Sequence, residues 1–264
     1  MYSFRSVYFD RPIQSGRVLD IFQPDRGSVP KQNVALFFVH GGGWRGGSRT
    51  VFHLIMEDFV NRGYVCGSTD YRLSGVHLPE QMTDIRCGYQ LFQQELRAMG
   101  EDVPIVVFGS SAGAHLAGLL GIAQPGEVGD AELPDWQGPV AVINQAFPTR
   151  FHPWEDMFPP IVASMQSIAG VALDSGDPRI GKYSPVDYIK ATSPAFLLIE
   201  AGDEHMFRLE HSREFCQKLT EVGVRAELEV IPDCEHGFYY ALTRKCQQAA
   251  HQRILQFLED LGVR

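Results

Sequence analysis

Cysteine is scarce in this chain and nowhere arranged for a metal or a redox pair. There are five in 264 residues, an odd number, with no C-x-x-C spacing. That excludes a disulfide-rich scaffold and predicts free thiols in a reducing compartment. No H-E-x-x-H is present, and His205 and His211 fit no metal-ligand spacing, so no metal or other cofactor is expected. An excess of basic residues is also missing. Lys and Arg number 23 against 32 Asp and Glu, a formal charge of −9. Nucleic acids and anionic membranes are therefore not expected as partners. Ile105 to Ala123 carries no Asp, Glu, Lys or Arg and is long enough for a membrane span, but a Gly-Ser-Ser sequence interrupts it, which argues against one. The first residues lack an apolar leader core and a cleavage site, so the expected location is cytoplasmic. Repeats and low-complexity tracts are absent.

What is present is an alternation of short apolar runs with helical patterns. Val7–Asp10 and Arg17–Phe22 read as strands of a hairpin around Gln14-Ser15-Gly16. Strands are predicted at Asn33–Val39, Tyr64–Thr69, Ile105–Phe108, Pro139–Phe147, Ala195–Ala201 and Arg225–Ile231. Helices are predicted at Ser48–Arg62, Pro79–Met99, after Ser111, at Phe207–Val222 and at Tyr239–Leu261. The segment Gln124–Gln137 reads as a surface loop. The order implies an α/β fold with a mostly parallel sheet covered by helices on both faces. Residues 148–185 break that rhythm with Phe, Trp, Met and Pro, and read as a short lid inserted into a single domain spanning 1–264.

The chain is organised around Gly109-Ser110-Ser111-Ala112-Gly113, which follows the strand at Ile105–Phe108 and opens a helix. Strand, small-residue turn and helix form the setting of a nucleophile elbow, G-x-S-x-G, with Ser111 at its centre. It is not a dinucleotide fingerprint, because position 111 is Ser where that motif needs Gly.

Attack by a hydroxyl on a carbonyl needs a base, an acid to orient the base, and donors for the developing oxyanion. Each has a candidate in a loop that follows a predicted strand, where open α/β sheets place their ligands. His236, in Cys234-Glu235-His236-Gly237-Phe238, is the expected base. Asp203 is the expected acid, with the adjacent Glu204 as the alternative. The backbone amides of Gly41, Gly42 and Gly43, in His40-Gly41-Gly42-Gly43-Trp44, are the expected oxyanion donors together with Ala112. Trp44 and Phe238 are expected to contact substrate, and Phe151, Trp154 and Phe158 are further candidates for lining an acyl or sugar pocket. His115, one turn past the elbow, reads as packing.

Together His40–Trp44, Asp70-Tyr71-Arg72-Leu73, Pro79 with Asp84, Gly109–Ala117 and His236-Gly237-Phe238 resemble the α/β-hydrolase superfamily from about Arg17 onward. The glycine triplet is similar to that of hormone-sensitive-lipase-like esterases, although Ser110 stands where their elbow carries Asp. The elbow looks closer to that of small carbohydrate acetyl and feruloyl esterases. Arylformamidases share H-G-G-x-W, and Asp203 with Phe207 resembles their acid loop. The resemblance implies a serine hydrolase acting on a small-molecule or oligosaccharide ester, with short acyl groups such as acetyl or feruloyl, through an acyl-enzyme. An arylformamidase acting on N-formylkynurenine and a non-catalytic binding protein on the same fold are the alternatives.

Overall fold

The structure, a computed structural model, describes residues 1–9, 17–129, 133 and 135–262. Among the described residues, eight strands build one sheet: β1 (Tyr2–Tyr8), β2 (Val18–Pro24), β3 (Ala35–Val39), β4 (Cys66–Thr69), β5 (Ile105–Ser110), β6 (Ala141–Gln145), β7 (Ala195–Asp203) and β8 (Ala226–Glu235). Their order is β1-β2-β4-β3-β5-β6-β7-β8. β1 pairs antiparallel with β2, and β2 with β4. Every later pairing is parallel. This is the α/β-hydrolase architecture that the motifs imply. The N-terminal hairpin pairing is as expected, while its turn at Gln14–Gly16 lies outside the described residues.

The period of two along a strand divides the core. Phe37, Val39 and Val107 face one layer; Leu36, Phe38, Val106 and Phe108 face the other. The first layer is closed by α2 (Leu78–Ala98), α3 (Ala112–Ile122) and α6 (Leu209–Glu221). The second is closed by α1 (His53–Asn61) and α7 (Lys245–Asp260). β3 and β5 are buried along their whole length, so the loops at their C-terminal ends are rigidly held.

Two helices differ from expectation for local reasons. The helix expected from Ser48 begins as a 3₁₀ turn, Arg49–Phe52, because the Arg49 amide is held by Asp70 Oδ1 at 2.7 Å. The C-terminal helix starts at Lys245 rather than Tyr239. The Gln247 side chain accepts from the amides of Thr243 and Arg244, both at 2.9 Å, and so caps it there. Tyr239 is left outside the helix, buried, with its hydroxyl 2.6 Å from His251 Nδ1.

Residues 148–185 carry α4 (Pro159–Ala169) and α5 (Arg179–Lys182). The two ends of this insertion are tied together. The Phe151 amide donates to Ser184 Oγ at 2.9 Å, and the Val186 amide to the Thr149 carbonyl at 3.0 Å. Among the described residues, no helix is long and apolar enough to cross a membrane.

Candidate active site

Ser111 sits between β5 and α3 at φ 54°, ψ −120°, outside the regions an L-residue prefers. Such strain costs about 1–3 kcal/mol and persists only where surrounding packing imposes it. The packing is visible at the flanking glycines. A Cβ on Gly109 would lie 2.4 Å from the Gly113 carbonyl oxygen, and one on Gly113 would lie 2.2 Å from that of Val39. The Ser111 amide donates to the Gln145 carbonyl at 2.8 Å and its carbonyl accepts from the His115 amide at 3.0 Å, which fixes the turn on both sides.

His236 lies just past β8. Its Nε2 is 2.8 Å from Ser111 Oγ, and its Nδ1 is 2.7 Å from Glu204 Oε2. A carboxylate only accepts, so Nδ1 carries the proton and Nε2 is left to accept from the serine hydroxyl. The carboxylate on His236 is thus not that of Asp203, as expected, but that of its neighbour Glu204. Asp203 is the last residue of β7, paired with Glu235, and its side chain is exposed. At Glu204 the chain leaves the ladder and turns, its amide donating to the Ala201 carbonyl at 3.3 Å. That turn brings the Glu204 carboxyl over the strand end to His236, with only 5% of the side chain exposed. Burial opposes its charge, yet the His236 imidazole and the amides of Met206 and Phe207 together hold its carboxyl below the ordinary range.

The glycine turn follows β3. The Gly42 carbonyl accepts from the amides of Arg45 and Gly46 at 3.1 and 2.9 Å. Gly42 has φ 121°, and a Cβ there would lie 2.3 Å from the Gly46 oxygen. A Cβ on Gly41 would lie 3.2 Å from that of Ser111, so the turn packs directly against the elbow. Among the described residues, the amides of Gly42, Gly43 and Ala112 have no hydrogen-bond acceptor. Free amides beside a hydroxyl held by imidazole are what a developing oxyanion requires.

The structure moves both expected substrate contacts into the core. Trp44 is 1% exposed, packed edge-on against His115 and Phe151, because its indole N–H reaches His115 Nδ1 at 3.3 Å. Phe238 is 4% exposed and belongs to the layer under α7. Phe151 is buried as well, whereas Phe158 remains exposed. His115 is packing, as expected: its Nε2 donates to the Tyr183 carbonyl at 2.7 Å. Burial holds its pKa down at about 3, so it stays neutral.

Phe207 and Ser110, singled out in the sequence only through the resemblance, have contacts at the site, and Tyr240, Gln145 and Glu200 join them unforeseen. Phe207 packs its ring 5.7 Å from that of His236. Tyr240 donates to Ser110 Oγ at 2.9 Å, and Ser110 donates to Gln145 Oε1 at 2.6 Å, which braces the elbow from beneath. Glu200, fully buried four residues before Glu204, accepts from Ser212 Oγ at 2.8 Å. Burial pushes its carboxyl up to about 8. An acidic residue directly after the apolar run Ala195–Ile199 of the same strand is the signal that would have found it.

A family model described as BD-FAE matches residues 19–219. Among curated proteins, the esterase LipC of Mycobacterium tuberculosis is 28% identical over 245 residues, covering 89% of this chain and 59% of LipC. The probable carboxylic ester hydrolase LipM of the same organism is 28% identical over 276 residues, covering 92% of this chain and 58% of LipM. The chain therefore spans less than two thirds of the length of these relatives. Among solved structures, the butyrate-bound form of the thermophilic esterase Est2 from Thermogutta terrifontis superposes with a TM-score of 0.78. It is 22% identical, covering 98% of this chain and 94% of that one.

Proposed function

From its membership of the BD-FAE family, to which this chain belongs, and from the contacts of His236, we propose that it is a serine-dependent carboxylic ester hydrolase. The observation that carries this reading is one imidazole bridging a strained serine and a buried carboxylate, at 2.8 and 2.7 Å. In this reading Ser111 Oγ attacks the ester carbonyl as His236 Nε2 takes its proton. Glu204 keeps the imidazole in the required tautomer and stabilises the imidazolium. The carbonyl oxygen, now negative, accepts from the amides of Gly42, Gly43 and Ala112, each worth about 3 kcal/mol in such sites. His236 then gives its proton to the leaving alcohol, an acyl-enzyme remains on Ser111, and a water activated by the same imidazole releases the acid.

We take the acyl group to be short. Ser164 of α4 stands over Gly43, 3.5 Å from where a Cβ would be, and Phe207 closes the side of His236. The insertion thus stands as a cover over the site. Initial rates would be measured on 4-nitrophenyl acetate, butyrate and octanoate, methyl ferulate, an acetylated xylan oligosaccharide and N-formylkynurenine, with Ser111→Ala as control. The reading predicts that the acetyl or feruloyl esters turn over fastest and that the variant is inactive. Preference for N-formylkynurenine would replace the ester reading with the amide one. A folded protein inert on every compound would contradict both.

A further inference from the structure

A cleft of about 450 Å³ flanks the glycine turn, lined by Arg45, Leu73, Ser74, His77, Ser167 and Ile168 among others. That volume is in the usual range for a small-molecule site. The cleft adjoins the candidate active site through two elements. Arg45 belongs to the turn itself, its amide held by the Gly42 carbonyl at 3.1 Å. α4 places Ser164 over Gly43 and, one turn later, Ser167 and Ile168 in the cleft wall.

Arg45, like Arg97, stands apart from the other described arginines of this acidic chain. Most described arginines are matched to a carboxylate, as Arg49 is to Asp20 and Asp70 at 2.8 and 2.6 Å. Among the described residues, the exposed Arg45 guanidinium has no carboxylate or carbonyl partner. The lining includes His77, the residue immediately before α2, whose side chain accepts from the Glu80 amide and so caps that helix. Glu80 lies at the same helix end, and its carboxylate accepts from the His77 amide at 3.0 Å. The Arg45 guanidinium and the hydroxyls of Ser74 and Ser167 in the cleft suit an anion, and a guanidinium fork pairs best with a planar carboxylate.

We propose that this cleft is a subsite for a carboxylate borne by the ester substrate, with Arg45 as its anchor. The proposal rests on the ester-hydrolase reading for its substrate class, and its test separates the two. Two matched pairs serve as probes. Phenyl acetate and 4-acetoxybenzoate differ by a carboxylate on the alcohol side. The 4-nitrophenyl esters of butyric acid and of glutaric acid (the half-ester) differ by one on the acyl side. In at least one pair, the ratio of kcat/KM for the charged ester to that for the neutral ester should fall at least fivefold in Arg45→Gln, and should also fall as salt is raised. Calorimetric titration of 4-acetoxybenzoate and of the glutarate half-ester into Ser111→Ala, with and without Arg45→Gln, gives the same information without turnover. The dissociation constant of at least one of them should rise at least fivefold. Ratios and dissociation constants within twofold of the parent for both pairs would overturn the subsite. If the native protein hydrolyses none of the four esters, the ester reading fails, and the titration alone decides on Arg45.

Discussion

Glu204 holds its charge against its own burial, because the His236 imidazole donates to it and two backbone amides add to the field. Glu204→Gln keeps the shape but offers an amide in place of the carboxylate, so the imidazolium loses its counter-charge and its preferred tautomer. Its kcat on 4-nitrophenyl acetate should fall on the order of 10³ to 10⁴-fold. Asp203→Asn, altering an exposed side chain, should stay within about threefold. Equal losses from the two, or a loss only at Asp203, would refute the assignment. Sequence reasoning could not separate these neighbours, because the choice is made where β7 stops pairing with β8. Gly202 marks the irregular register between Ala201 and Asp203 that precedes this end, but a glycine does not say which of the two carboxylates the turn carries to His236. Ser111 and His236 were legible because glycines and a strand end bracket each of them.

Glu200 gives a second test at the same scale. Its folded carboxyl is pushed up to about 8 from an ordinary 4.5, so the folded state holds a proton that the unfolded chain releases. The stability this contributes is full below about pH 4.5 and is lost as pH rises toward 8, at about 1.4 kcal/mol per unit. Gln mimics the protonated acid and keeps an oxygen for Ser212. Urea midpoints at pH 5.5 and 7.5 should therefore diverge for the native chain and lie closer together for Glu200→Gln. Parallel pH dependence in the two proteins would show that Glu200 is charged in the fold.

Among the elements, the turn from β5 into α3 tolerates least. With 2.2 Å between a new Cβ and the Val39 carbonyl, Gly113→Ala cannot be relieved by a side-chain rotation, since the obstacle is backbone. Loss of soluble folded protein, or a melting temperature lowered by many degrees, is expected in a thermal scan. A second joint runs through His115, which accepts from Trp44 in the glycine turn and donates to Tyr183 in the insertion. His115→Leu leaves both partners buried and unmatched, costing about 1–3 kcal/mol for each. Faster hydrogen exchange across residues 148–185 would follow, whereas unchanged exchange there would show that the insertion is held elsewhere. Trp44 read as a substrate contact because aromatics can line an acyl pocket; its partner His115 lies 71 residues away, a pairing visible only in the fold.

Across the whole molecule, the sheet separates two cores and brings the ends of β3, β5, β7 and β8 to one edge, where Gly42, Ser111, Glu204 and His236 meet. Element order and the class of sheet were legible because buried parallel strands are apolar runs and amphipathic helices declare their period. Helix starts at Arg49 and Lys245 were not: a side chain 21 residues away, Asp70, sets the first, and at the second the apolar pattern runs back to Tyr239, past the point where Gln247 caps the helix's own first turn. The central claim, that Ser111 is a nucleophile activated by His236, is tested most directly by reaction with a fluorophosphonate probe and intact-mass and peptide analysis. One adduct per chain on Ser111, forming in step with loss of esterase activity and absent in Ser111→Ala, is the predicted result. A folded protein that takes up no probe, or takes it up on another residue, would contradict it.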